Sequence, residues 1–175
     1  MARLFRLPRA DWGRAVAHAG FGVTVFGIAG LTAWQSDDIR VAQLGQPFDV
    51  GAYTLTLDDV QDGEGPNYFA TTGFVTLAKN GREIAQLRPE KRVYPVAQMP
   101  TTEAAIDQSL ARDVYVVIGD EQDAGGWAIR TYIKPLANWI WGGTILMAIG
   151  GMISLSDRRF RVAAGARKAQ AVPAQ

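Results

Sequence analysis

Residues 15–34 and 137–155 contain no Asp, Glu, Lys or Arg. They are 20 and 19 residues long. At about 1.5 Å rise per residue, each covers the roughly 30 Å hydrocarbon core of a bilayer as a single helix. The charges between and outside them are sorted by sign. Residues 1–14 carry +3 (Arg3, Arg6, Arg9 and Arg14 against Asp11), and residues 156–175 carry +4 (Arg158, Arg159, Arg161, Arg167 and Lys168 against Asp157). Residues 36–134 carry −6, so the overall +1 hides a strong segregation. Arginines outside both outer ends predict cytoplasmic termini and a middle segment on the opposite side, the periplasm in a Gram-negative-type cell. Trp12 and Trp34 bracket the first stretch, and Trp139 and Trp141 open the second, as residues of the two interfacial belts do.

A cleaved signal peptide is the competing reading of the first stretch, which follows an Arg-rich start and ends near Leu31-Thr32-Ala33. Against it stand a run longer than a signal core, Leu31 where a small residue is needed, and a matching second span. Buried helices of a soluble protein are a poorer fit, because they seldom carry arginine clusters and tryptophans at both ends. The expected organisation is a basic cytoplasmic N-terminus at 1–14, a transmembrane helix at 15–35, a periplasmic β-rich domain at 36–134, a second transmembrane helix at 135–155 and a basic cytoplasmic tail at 156–175. The tail after Val162 is Ala-rich and expected to be disordered.

Alternation of apolar and polar residues predicts strands at 53–57, 74–78 and 127–133. The more continuous apolar run at 113–119 predicts a strand buried on both faces. Turn residues separate them at 62–67, at Lys79-Asn80-Gly81-Arg82 and at 123–126. Asn80-Gly81 fits a two-residue type I′ hairpin, which needs positive φ at both positions. Residues 101–107 fit a short helix or another strand equally well. About seven strands are expected in this segment. The fold class is therefore an α+β membrane protein: two transmembrane helices flanking a mainly antiparallel β domain, a sandwich or a small barrel.

The absence of cysteine excludes disulfides, thiolate catalysis and Cys-based metal sites, and a single histidine excludes a His cluster. The acidic middle segment argues against nucleic acid as a partner. His18 lies inside the first span, one helical turn beyond Arg14, and ionisable groups inside a span are rare and usually functional. At ~100° per residue, Ala15, Gly22, Val25 and Ala29 share its face, so a flat ligand could approach the backbone there. Gly13, Gly20 and Gly27 repeat every seven residues on the roughly opposite face, which suits close packing against another helix. Position alone leaves two roles open for His18: a haem-iron ligand or an interhelical hydrogen bond. Arg88, Lys91 and Arg92 could meet haem propionates or an acidic partner, or be solvated and paired with Glu90. Gly65-Pro66-Asn67-Tyr68 reads as a turn whose Tyr68 packs on the domain. Glu103 and Asp107 would share a face only on a helix, and no nucleophile accompanies them, so no catalytic residue is assigned.

Several motifs resemble one family in order and spacing over almost the whole chain: Ala17-His18-Ala19-Gly20, Gly65-Pro66-Asn67-Tyr68, Pro89-Glu90-Lys91-Arg92, the run Thr101-Thr102-Glu103-Ala104-Ala105-Ile106-Asp107, Gly125-Gly126-Trp127, Lys134-Pro135-Leu136 with Trp139-Ile140-Trp141, and Ser154-Leu155-Ser156-Asp157-Arg158-Arg159. The segment is similar to the C-terminal portion of the CcmF family, haem lyase subunits of the bacterial cytochrome c maturation system. The resemblance implies a bacterial inner-membrane protein that receives haem from the chaperone CcmE and attaches it to the CxxCH thiols of apocytochrome c in the periplasm. It also implies a haem b held by two transmembrane histidines, with His18 at the position of one of them. The b haem would then reduce the iron of incoming haem.

CcmF proteins are several times longer than this chain. The tryptophan-rich periplasmic signature, the two periplasmic histidines and the second b-haem histidine belong to the part not present here. Trp139-Ile140-Trp141-Gly142-Gly143 is not that signature. His18 alone would supply one axial ligand, and the implied partners are the remaining N-terminal part of CcmF, CcmE, CcmH, apocytochrome c and membrane lipid. The chain by itself is not expected to be catalytic, and it is expected to be a truncation or one piece of a split protein. The alternative function is a membrane-anchored docking platform for the same maturation partners without a cofactor of its own.

Overall fold

The computed structural model describes residues 8–157, apart from Ala97 and Ala124. The basic residues Arg3 and Arg6 and the expectations for the tail at 158–175 lie outside the described residues. Among the described residues, two helices, α1 (Arg9–Trp34) and α2 (Ala137–Leu155), flank ten strands in the sequence. Both helices are long and apolar enough to cross a membrane. The chain divides into two compact units, the helical segments on either side and a β unit at Gly30–Ala137.

Helix α1 begins at Arg9, so Arg9, Asp11 and Arg14 lie in its first turns rather than ahead of it. It packs antiparallel to α2 along a seam of small residues. A Cβ on Gly20 would sit 2.6 Å from the Met147 nitrogen and 2.7 Å from the Gly143 carbonyl oxygen, and one on Gly27 would sit 2.9 Å from the Ile140 nitrogen. Gly13 meets Gly150 and Ser154 in the same way. With Ala17 and Thr24, the glycines of α1 form a row spaced alternately by four and three residues, answered by Ile140, Gly143, Met147, Gly150 and Ser154 on α2. This is a heptad seam, and the absence of side chains lets the two backbones touch, which supplies the packing that replaces hydrophobic burial in lipid. Phe26 and Trp139 close one end edge to face, with ring centroids 5.7 Å apart.

The other end of the pair is tied by a carboxylate. Pro8, immediately before α1, has no side-chain acceptor to cap the helix. The Ala10 N–H instead donates to Asp157 Oδ2 at 3.0 Å, from the residue just past α2. Asp157 is 8% exposed, and its charge lies where the dipole of α1 favours an anion.

The β unit is a sandwich of two antiparallel sheets, not a barrel. One has the order β1-β10-β9-β8, formed by β1 (Ser36–Ala42), β10 (Trp127–Pro135), β9 (Arg112–Glu121) and β8 (Ala105–Gln108). The other has the order β2-β3-β4-β6-β7, formed by β2 (Pro47–Val50), β3 (Tyr53–Glu64), β4 (Phe69–Lys79), β6 (Glu90–Tyr94) and β7 (Met99–Glu103). Strand β5 (Arg82–Leu87) also pairs with β4, in line with β6 but separated from it at buried Pro89. Proline has no N–H to give the ladder, and the Pro89 carbonyl instead accepts from Gly73 N–H at 2.9 Å. Leu55, Leu57, Val75 and Leu77 of one sheet face Val114, Val116, Ile118 and Ile129 of the other, all almost fully buried. Each such side chain contributes roughly 1.5–3 kcal/mol by leaving water.

Four expectations are corrected or resolved. Strand β9 is buried on one face only: Val114, Val116 and Ile118 point into the core, while Tyr115, Val117 and Gly119 stay partly accessible because that face of the four-stranded sheet has no further layer within the β unit. Residues 62–64 continue β3, paired with Ala70 and its neighbours, and the turn is confined to 65–68, closed by Gly65 N–H donating to the Tyr68 carbonyl at 2.8 Å. Residues 101–107 are extended, and they change sheets at Ala104, so β7 and β8 belong to opposite layers. Ten strands among the described residues replace the expected seven: β2 and β8 are only four residues long, and β7 is exposed throughout and shows no alternation. Asn80 and Gly81 adopt φ of 52° and 74°, the type I′ hairpin between β4 and β5.

Candidate functional site

His18 sits on the exposed side of α1, away from the glycine seam. Its Nδ1 lies 2.8 Å from the Arg14 carbonyl oxygen, one turn back. That oxygen can only accept, so Nδ1 is the donor, and in the neutral tautomer with Nδ1 protonated the Nε2 lone pair is free. Nε2 has no hydrogen-bond partner among the described residues. A histidine held through Nδ1–H by a backbone carbonyl, with its other nitrogen open, has the tautomer and orientation of a metal ligand. Arg14 itself is paired with Asp11.

The surface around His18 is open. Ala15, Gly22, Val25 and Ala29 are all exposed, and a Cβ on Gly22 would meet nothing within 4 Å. The two glycine sets of α1 thus do different things: Gly13, Gly20 and Gly27 are consumed by α2, and Gly22 is left clear one turn beyond His18. No group of three or more His, Asp or Glu side chains among the described residues could hold a metal ion, and His18 is the one histidine of the sequence.

The basic residues expected near an acidic ligand are occupied. Arg92 pairs with Glu90 at 2.8 Å and with Glu103 at 3.6 Å, and it covers the Tyr68 ring at 4.5 Å. The Glu90 carboxylate holds the Arg92 pKa above its ordinary value. Lys91 pairs with Asp120 across the sandwich, and Arg88 lies over Phe74. Tyr68 folds back on Gly65 and stands 5.6 Å from the Tyr94 ring, as a packing residue does.

Glu103 and Asp107 are not brought together. Asp107 instead pairs with Arg112, which is 9% exposed and whose Nε donates to the Tyr53 hydroxyl at 2.9 Å. Burial lowers the Arg112 pKa, but the bonds to Tyr53 and Asp107 outweigh it and the net shift is upward. This network fastens the start of β9 to β3 and β8, and it is structural. Sequence reasoning missed it, and it also missed the capping role of Asp157. The only local sign of that cap is a proline before α1 with no N-cap side chain.

A pair of membrane-length helices closed by a glycine seam, with a histidine on its open face whose Nε2 is unpartnered among the described residues and an antiparallel sandwich inserted between the helices in sequence, defines a class of membrane-anchored β-sandwich module. The family model for the CcmF C-terminal β-sandwich matches residues 33–135, and the chain belongs to that family. The cytochrome c-type biogenesis protein ccl1 of Rhodobacter capsulatus is 58% identical over 167 residues, covering 95% of this chain and 26% of that protein. CcmF of Pseudomonas aeruginosa is 38% identical over 167 residues, covering 95% of this chain and 25% of its own length. The chain therefore spans about a quarter of the curated relatives it matches. A solved structure of the cytochrome c haem lyase CcmF superposes with a TM-score of 0.66 at 21% identity, over 85% of this chain and 25% of that one, a likeness of fold.

Proposed function

We propose that this chain is the C-terminal module of a haem lyase subunit in c-type cytochrome biogenesis, and that His18 supplies one axial ligand to a transmembrane haem b. The observation that carries the reading is the Nδ1 contact of His18 with the Arg14 carbonyl, which leaves Nε2 unpaired beside the open Gly22 face. The donor set fits such a group: one imidazole nitrogen without a hydrogen-bond partner among the described residues, and a surface of small residues over which a planar ring system can lie. When bound, the haem would supply one-electron chemistry. The chain's own residues orient the ligand, with the Arg14 carbonyl fixing the tautomer and the α1–α2 seam fixing the helix that carries it.

The sequence contains one histidine, so the second axial ligand comes from the N-terminal part of CcmF or from another chain. The relatives' names support the biogenesis pathway, and their fourfold greater length supports a larger assembly. In this reading the termini are cytoplasmic and the sandwich is periplasmic, near the site of haem attachment, where CcmE, CcmH and apocytochrome c meet it. The arginines at the outer ends of both apolar stretches support that orientation.

The test is to purify the chain from membranes after coexpression with the N-terminal part of CcmF and to record reduced-minus-oxidised and pyridine haemochrome spectra. Wild type should show a b-type signal. His18→Ala should lose it by at least about tenfold, the lower end of what even an outer-shell partner is worth to a metal site. Equal haem content in the two proteins would overturn the ligand role. A complete absence of haem in every combination would leave a docking platform.

A further inference from the structure

At one end of the sandwich the two sheets part, and the apolar interior runs out into an open cleft of about 580 Å³. Its walls come from β3, β4 and β6 on one side and from the ends of β9 and β10 on the other. Phe69 and Val93 are opposite one another on β4 and β6, and they are 54% and 39% exposed, unusual for neighbours in a cross-strand row. Trp127 faces them from the first position of β10 and is partly buried. The rim is acidic. Asp62, Asp120 and Glu121 line the cleft with Lys91 as the one cation among its lining residues, and the Lys91 ammonium is already paired with Asp120. Asp62 accepts a hydrogen bond from the Thr71 hydroxyl at 2.7 Å and has no cationic partner among the described residues, and the lining as a whole carries −2.

The geometry points to a docking site for a cationic peptide segment, one that places an apolar side chain between Phe69, Val93 and Trp127 and its Lys or Arg side chains on Asp62 and Glu121. Charge complementarity selects this occupant. The cleft and the −6 of residues 36–134 repel an acidic segment, and an aromatic floor at Trp127 attracts a cation further. A cleft of this size with an apolar floor and a few placed charges has the proportions of a binding site rather than of a packing defect. The site is independent of His18 and of any cofactor.

The experiment uses the full chain in nanodiscs of zwitterionic lipid, titrated calorimetrically with the blocked pentapeptide Lys-Leu-Lys-Leu-Lys and with its counterpart Glu-Leu-Glu-Leu-Glu, with empty nanodiscs subtracted. The lysine peptide should bind and the glutamate peptide should not. Asp62→Asn with Glu121→Gln should weaken binding at least tenfold, and Trp127→Leu at least fivefold. The charge-matched pair Asp37→Asn with Glu83→Gln, at exposed positions outside the cleft, should leave it within twofold. These four acidic positions are exposed, so the substitutions keep the fold, as circular dichroism will report. Equal binding of both peptides, no binding of either, or equal weakening by the two double variants would overturn the proposal.

Discussion

Gly20→Ala isolates what the glycine seam contributes. The added Cβ would lie 2.6 Å from the Met147 nitrogen and 2.7 Å from the Gly143 carbonyl oxygen, whereas ordinary contacts are about 3.5–4.0 Å. Both neighbours are backbone, so no side chain can swing aside and the helices must part by about 1 Å. A gap of that size forfeits about a quarter to a half of each contact energy along the row, and overpacking of this kind costs about 1–3 kcal/mol. At 1.4 kcal/mol per tenfold, opening of the helix pair becomes about 5- to 150-fold more frequent. The control is Gly22→Ala, two residues away, where a Cβ meets nothing within 4 Å. There the change should be neutral, or stabilising by about 0.5–1 kcal/mol through helix propensity. Hydrogen–deuterium exchange of α1 and α2 peptides in detergent micelles reads both variants. The reasoning is refuted if Gly20→Ala exchanges no faster than wild type, or if Gly22→Ala accelerates exchange as much as Gly20→Ala does.

Thr131 is fully buried and its hydroxyl has no hydrogen-bond partner among the described residues, so Thr131→Val should stabilise the sandwich by about 1 kcal/mol. A thermal melt should rise by about 4–8 °C for a domain of this size, and a fall would show that the hydroxyl is satisfied. Asp157→Ala should cost about 0.5–2 kcal/mol and speed exchange at the amides of the first turn of α1, while Asp157→Asn, still able to accept from Ala10 N–H, should keep most of the protection. Equal exchange in the two variants would remove the capping role. The Arg40 side chain donates to both Asp38 carboxylate oxygens and holds the Asp38 pKa below its ordinary 3.8. A depressed carboxylate stabilises above its unfolded-state value and loses that contribution as pH falls through the folded-state value. Asp38→Asn should therefore be less stable than wild type above about pH 4, by less than about 1 kcal/mol for a partly exposed pair, and the two should converge in stronger acid. Urea midpoints measured across that range decide it.

What was legible in the sequence was what local chemistry dictates. Asn80-Gly81 needs only its own φ angles, and the seven-residue spacing of Gly13, Gly20 and Gly27 announces a seam before its partner is known. His18 stood out because an imidazole is conspicuous in an apolar run. Features that depend on distant residues were hidden. The Asp157 cap joins positions 147 residues apart, and the change of sheet at Ala104 follows from which strands lie beside β7 and β8 rather than from their own alternation. The apolar run in β9 suggested two buried faces because Tyr115 and Val117 break the run of Val114, Val116 and Ile118 with no charged residue; only the layer count shows that one face is left open. The cleft at Phe69, Val93 and Trp127 is assembled from five strands of two sheets, so no window of sequence contains it.

On α1, the residues that pack against α2 and the residues around His18 lie on different sides of one 26-residue helix. A residue every seven returns to nearly the same side of a helix, so Gly13, Gly20 and Gly27 commit one side to α2 and nothing else. His18 is two residues before Gly20 and Gly22 is two after it, and both fall outside that side. The hydrogen bond that orients His18 comes from the backbone of its own helix, at Arg14, and so asks nothing of α2. Stability of the pair and orientation of the imidazole are thereby carried by different residues of one helix. A loss of haem in His18→Ala with unchanged exchange along the seam would reflect the ligand alone, and a loosened seam in Gly20→Ala with the Nδ1 contact intact would reflect packing alone.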